Sequence, residues 1–319
     1  MKNIKLILHV IVLMIGCLSP TLAKTKLLPE WRRDLENLRF GMFINFSPTT
    51  YLDVYDHLKS DSASKYQSKD DLTETHKKLP EEYSNRAINF NRPNGSYTND
   101  ILRDDFGNGI FPEGRGFASI QDNVYKITFN KGEKVSKTGA AVQVKITPAR
   151  QYTLQYRIQY DKNFQEGLHG KQFGFNIGVG YDGGRGEEAR QNGDGGSVRI
   201  QFDVHGDSIS NQLYVYSCEM KGTYGNNTGE QKYSFKKGEW NTIRLTVTMQ
   251  SAETSKDGRI EVWCNGKKKI DVKELKFVRF ESANWITRLA FESFPGGGGA
   301  IPAYDNYLYV DDLQWYKGK

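Results

Sequence analysis

Cysteine, proline and long apolar runs are all scarce in this 319-residue chain. Its three cysteines, with no Cys/His spacing of zinc type, exclude both a disulfide-stapled scaffold and a zinc module. Nine prolines against 32 glycines exclude a polyproline or collagen-like chain. The main apolar stretch, Ile7 to Cys17, falls short of the roughly 20 residues that span a bilayer, so no transmembrane span is expected. The net charge of +6 is spread along the chain without a dense basic run. Nucleic acid is therefore not expected as a partner, whereas an acidic polysaccharide fits. No motif implies a cofactor or a metal.

What is abundant is aromatic residues and glycine: 18 Tyr, 17 Phe and 32 Gly, the composition of an all-β chain with many glycine turns. The basic start, apolar stretch and small-residue end at Thr21-Leu22-Ala23 predict a signal peptide over residues 1–23, hence a secreted or periplasmic protein. Met14-Ile15-Gly16-Cys17 adds the option of a lipoprotein anchored through Cys17. Past the leader only Cys218 and Cys264 remain, either as a disulfide or as two small buried residues. Residues 24–97 are expected to be a less ordered N-terminal extension and linker, with 56–90 as linker or weak helix. From residue 98 to 319, about twelve short strands punctuated by Gly, Asn and Asp predict a jelly-roll sandwich of two antiparallel sheets. Asn265-Gly266 is the strongest hairpin signal among them.

One strand stands out. Val198, Ile200, Phe202 and Val204 alternate with Ser197, Arg199, Gln201, Asp203 and His205, so one face suits a core and the other carries hydrogen-bonding and charged groups. The next run repeats the pattern, with Leu213 and Val215 opposed to Tyr214 and Tyr216. Such a face is either solvated sheet surface or the wall of a ligand groove.

Two family resemblances are visible. Trp31 with the run Phe40-Gly41-Met42-Phe43-Ile44 resembles the opening strand of the α-L-fucosidases of glycoside hydrolase family 29. No barrel strands follow, and a (β/α)₈ barrel needs about 250 residues, so no fucosidase activity is carried over. Residues 99–316 resemble polysaccharide lyase family 14, alginate and glucuronate lyases on a β-jelly-roll. The resemblance rests on ordered blocks: Tyr152 to Ile158, the stretch holding Lys171, Gly195 to Arg199, Leu213 to Tyr216, Gly238 to Ile243, Asp257 to Gly266, Phe291 to Gly297 and Tyr309 to Leu313.

The resemblance implies a catalytic set of Lys171, Ser197, Arg199, Tyr214 and Tyr216, with Gln201, Asp203 and His205 as substrate-binding candidates on the same face. It implies β-elimination of a uronic-acid-containing polysaccharide, alginate or glucuronan in type. Arg199 and Lys171 would stabilise charge at the uronate carboxylate, and the tyrosines would serve as base and acid with a pKa brought down by the neighbouring cations. Lys171 is expected in an exposed Gly-rich loop, and residues 206–212 as a lengthened hairpin connection. The stretch Glu166 to Phe173 lacks the family's Pro-Gly setting, which leaves the polymer open. The competing reading is a non-catalytic carbohydrate-binding jelly roll, and a third is a structural or adhesion module.

Overall fold

Strict alternation drives the strands to pair in two layers with their apolar faces together. The computed structural model describes residues 84–107, 110–133, 137–226 and 230–318. The signal peptide, Cys17, the extension up to residue 83 and the fucosidase-like stretch lie outside the described residues.

In chain order the elements are β1 (Asn85–Ile88), β2 (Gly95–Ser96), α1 (Asn99–Phe106), β3 (Ile110–Gly116), β4 (Ala118–Gln121), β5 (Val124–Phe129), β6 (Ala140–Ala149) and β7 (Gln151–Tyr160). There follow β8 (His169–Gly178), α2 (Gly186–Asn192), β9 (Gly195–His205), β10 (Ser208–Tyr216), β11 (Lys232–Lys236) and β12 (Asn241–Thr248). The last are β13 (Gly258–Cys264), β14 (Lys267–Leu275), β15 (Ile286–Pro295) and β16 (Asn306–Lys317). A nine-stranded sheet has the order β14-β13-β12-β7-β16-β5-β4-β2, with β1 also on β16, and a seven-stranded sheet the order β11-β10-β9-β8-β15-β6-β3. Every pairing is antiparallel, as the jelly-roll expectation requires.

The two inner faces meet in one continuous core. Val198, Ile200 and Phe202 from β9 and Ile243, Leu245 and Val247 from β12 are fully buried in it. Aromatic rings fill its centre: Phe173 stacks on Phe291 at 4.4 Å between centroids, and Phe106 on Trp315 at 5.8 Å. Each such ring contributes about 1.5–3 kcal/mol by burial. Asn265 and Gly266 turn the β13–β14 hairpin with φ of 51° and 74°, the left-handed pair that an Asn-Gly turn supplies.

Two local expectations are corrected, and one element is new. Residues 85–88 are a strand on β16 rather than linker or weak helix. Residues 208–212 pair with β9 and β11, so the β9–β10 connection is only Gly206 and Asp207. Helix α1 is unannounced by any long periodic run: its eight residues are held by Thr98 accepting from the Ile101 amide and by Leu102 and Phe106, four apart, entering the core. Among the described residues no helix is long and apolar enough to cross a membrane.

Candidate active site

The outer face of the seven-stranded sheet gathers the predicted residues, and a β-bulge decides how. In the β8–β9 ladder Lys171 pairs with Gln201 and Gly174 with Arg199. Two residues of β8, Gln172 and Phe173, therefore oppose the single Ile200, and both are buried inward. The extra residue restores outward parity, so Lys171 and Gly174 both face outward beside Gln201 and Arg199. On the other flank β10 sets Tyr214 across from Arg199 and Tyr216 across from Ser197.

Lys171 belongs to β8, not to an exposed loop, and is 8% exposed. Its Nζ sits 3.3 Å from the Tyr214 ring centroid and donates to Gln201 Oε1 at 3.1 Å. Burial, then the Arg199 charge, pulls its pKa down to about 7, against the opposing carboxylates of Asp203 and Glu292. The half-buried Tyr214 hydroxyl is instead pushed up, by burial and then by its hydrogen bond with Tyr216. This reverses the expected depression of the tyrosine pKa. Loss of water outweighs the nearby cations because the Arg199 charge is already met by carboxylates.

Arg199 is 2% exposed and forms an ion pair with Glu292 on β15, itself 1% exposed. Gly174 lets the β8 and β9 backbones approach closely beside this pair. It lies on β8, between β9 and β15, and a Cβ there would run into Val198 O and come within 2.8 Å of Arg199 Cα. Asp182 adds a second carboxylate 3.8 Å from the guanidinium. Arg199 is thus buried beneath the outer face, with its charge met by two carboxylates.

Ser197 and Tyr216 are also covered, by the loop after β8 and by α2. Ser197 Oγ donates to Tyr181 O at 2.7 Å, and the Tyr216 hydroxyl accepts from the Gly184 amide at 3.1 Å. Tyr216 packs there with Tyr181, Ala189 and Met220, a small cluster apart from the main core. The face opens progressively beyond them: Gln201 and Asp203 are half-buried and His205 is exposed at the hairpin turn. Gln201 Nε2 lies 3.4 Å from Asp203 Oδ2.

Three residues of this neighbourhood carried no role in the sequence reading. Glu292 sat inside a family-like block and was signalled only by a carboxylate flanked by Phe291 and Phe294. Asp182 lay in an unremarkable glycine loop. His169 sits across from Asp203. Its imidazole pKa is lowered by burial under the segment holding Gly296 and Gly299, where a Cβ at Gly299 would come within 2.8 Å of the ring.

With this geometry in place, comparison with known proteins is informative. The profile of the family Polysaccharide lyase 14 matches residues 118–309, more than half of the chain and the whole stretch from Lys171 to Tyr216. The chain belongs to the polysaccharide lyase 14 family. Similar solved structures include alginate lyase Aly36B, 25% identical over 73% of this chain and 97% of that one, with a TM-score of 0.66. Aly36B in complex with alginate tetrasaccharide is 24% identical over 74% of this chain and 98% of that one, with a TM-score of 0.67. Alginate lyase vAL-1 from Chlorella virus is 20% identical over 70% of this chain and 100% of that one, with a TM-score of 0.53. No curated protein matches the chain.

The polysaccharide lyase keeps both described cysteines as buried free thiols, Cys218 donating to Lys276 O and Cys264 facing the core. Among the described residues no group of three or more His, Cys, Asp or Glu side chains could hold a metal ion. Tyr214, Lys171, Gln201, Asp203 and His205 follow one another from the covered to the exposed end of the face, with His169 beside Asp203.

Proposed function

We propose that this lyase cleaves a uronate-containing acidic polysaccharide, of alginate or glucuronan type, by β-elimination, with Lys171 as base and Tyr214 as acid. The observation that carries this reading is the Lys171 amine held on the Tyr214 ring, the two groups having pKa values moved in opposite directions. Pairs of titratable groups pushed apart by their surroundings mark acid and base roles. Alginate oligosaccharides bound to Aly36B support the substrate class.

In this scheme the neutral amine of Lys171 takes the proton at C5 of the uronate. The C5–H electron pair becomes the C4–C5 double bond, the C4–O bond breaks, and the leaving oxygen takes the Tyr214 proton. Lys171 then returns its proton to water and Tyr214 is reprotonated. Tyr216 and Ser197 hold the Tyr214 ring and strand β9 in place from the covered side. Gln201, Asp203 and His205 line the open side where further sugar residues lie.

The scheme fixes the pH dependence. A base is active when unprotonated, so kcat/KM on alginate should rise as pH increases through about 7 and hold on the alkaline side until Tyr214 ionises. Asp203→Asn removes a carboxylate that raises the Lys171 pKa, so the rise should move to lower pH. Profiles that fall with increasing pH across neutrality, or an unmoved rise in the variant, would count against Lys171 as base. The readout is the ultraviolet absorbance of the unsaturated uronate product over a panel of alginates and glucuronans.

Export is part of the same proposal, supported by the leader sequence of residues 1–23. Intact-mass analysis of protein made with its leader should show an N-terminus at Lys24, or a lipidated one at Cys17. A chain retaining Met1 in the cytoplasmic fraction would sink it.

A further inference from the structure

The two sheets present opposite outer faces, and the face of the nine-stranded sheet carries a constellation that the catalytic reading does not use. Arg244 on β12 lies directly across from Trp263 on β13 and from Gln155 on β7. Its guanidinium carbon is 4.4 Å from the Trp263 ring centroid, and Lys268 Nζ approaches the same ring at 5.3 Å. Neighbouring cations are committed to carboxylates: Arg157 to Asp311 and Asp312, Arg259 and Lys268 to Glu261 and Asp271. Among the described residues Arg244 makes no such ion pair. A guanidinium laid on an indole is pre-oriented, and its planar fork matches a carboxylate in bidentate fashion.

Beside it the surface is concave. Gln155 pairs across to Gln314 on β16, and both line a cleft of about 540 Å³ together with Arg86 and Asn89. The cleft forms where β16 breaks its register between Asp311 and Gln314. Of its acids, Asp105 is paired with Arg92 and Asp312 with Arg157, while Asp104 is exposed and receives Arg86 only at its backbone carbonyl, so the lining offers amide and carboxylate acceptors suited to sugar hydroxyls rather than to a second carboxylate. Its volume lies inside the roughly 300–1,000 Å³ range of small-ligand sites.

We propose that this face is a second, non-catalytic binding site for an acidic polysaccharide, Arg244 receiving a uronate carboxylate and the adjoining cleft the hydroxyls of a neighbouring sugar. The charge complementarity resides in the Arg244 guanidinium stacked on Trp263, and the polar cleft continues the surface along the sheet through Gln155. A polymer held here stays near the molecule between cleavage events and raises the local concentration of chain at the other face.

The test uses the full chain with Lys171→Met, so that polymer is bound and not cut, in native gels containing sodium alginate, glucuronan or the neutral glucan laminarin. Arg244→Glu and Arg244→Gln should reduce retardation in the acidic gel by about tenfold, the loss of one charge-assisted pair, and lessen its sensitivity to NaCl. Neither variant should alter the melting temperature by more than a degree or two, since Arg244 is on the outer face. In an otherwise wild-type chain the same substitutions should leave turnover of a uronate tetrasaccharide, too short to reach both faces, unchanged while KM for polymer rises. Three results would overturn the proposal: unchanged retardation, a parental chain not retarded in either acidic gel, or an equal loss of tetrasaccharide turnover. Formation of unsaturated product, measured separately, reports on the catalytic proposal alone.

Discussion

Tyr214→Phe lowers kcat by about 10²- to 10⁴-fold with KM nearly unchanged, because it deletes the proton delivered to the leaving oxygen and keeps the ring that supports Lys171. Lys171→Met lowers kcat by at least as much but moves stability the other way. The Lys171 pKa is near 7 in the folded protein against an ordinary 10.5. Between those values the unfolded chain binds more protons than the folded one, so stability rises with pH through that window and the burial penalty is fully present below about 7. Removing the amine removes the penalty, and below neutral pH the inactive variant should melt higher than wild type, by an amount on the order of 2–4 kcal/mol. Thermal melts at acidic and alkaline pH, paired with product formation, check both halves. A Lys171→Met chain that is less stable as well as inactive would make Lys171 a packing residue, and a Tyr214→Phe chain with near-wild-type turnover would remove Tyr214 from the reaction.

The strands were legible where alternation was strict. Val198 to Val204 and Ile243 to Val247 face the core as their pattern required, because a period of two leaves no choice once one face is buried. Short edge elements such as β1 and β2 were not legible, since four or two residues carry no period. The placement of Lys171 was misread for a physical reason: glycines at 167, 170 and 174 suggest a loop, whereas Gly170 packs against the Phe202 ring and Gly174 lets backbone and Arg199 approach within a continuous strand. The polar face itself was read correctly as a row, but a row does not reveal depth. Ser197, Arg199 and Tyr216 disappear beneath the loop after β8, and only long-range contacts, invisible in sequence, distinguish them from Gln201 to His205. The partner of Arg199 was out of reach for the same reason, since Glu292 lies 93 residues away.

That partnership leads to the largest expected effect on stability. Arg199 and Glu292 are both nearly inaccessible to water, so removing either leaves an opposite charge stranded in a low-dielectric setting. Glu292→Ala and Arg199→Ala should each cost about 3–5 kcal/mol in denaturant unfolding. Replacing both at once, with Glu292→Leu and Arg199→Met, should recover much of that loss, because two well-packed apolar side chains avoid the dehydration of two ions. Activity separates the possible roles of Arg199. As a positioning residue, with its guanidinium carbon 6.0 Å from the Tyr214 ring, it acts on kcat through the tyrosine, and the stable double variant should bind polymer with an unchanged KM. A residue that instead receives the substrate carboxylate would raise KM when replaced, while unfolding free energy fell by less than about 1 kcal/mol, the range of an exposed pair. The burial of both partners and the second carboxylate of Asp182 predict the first outcome.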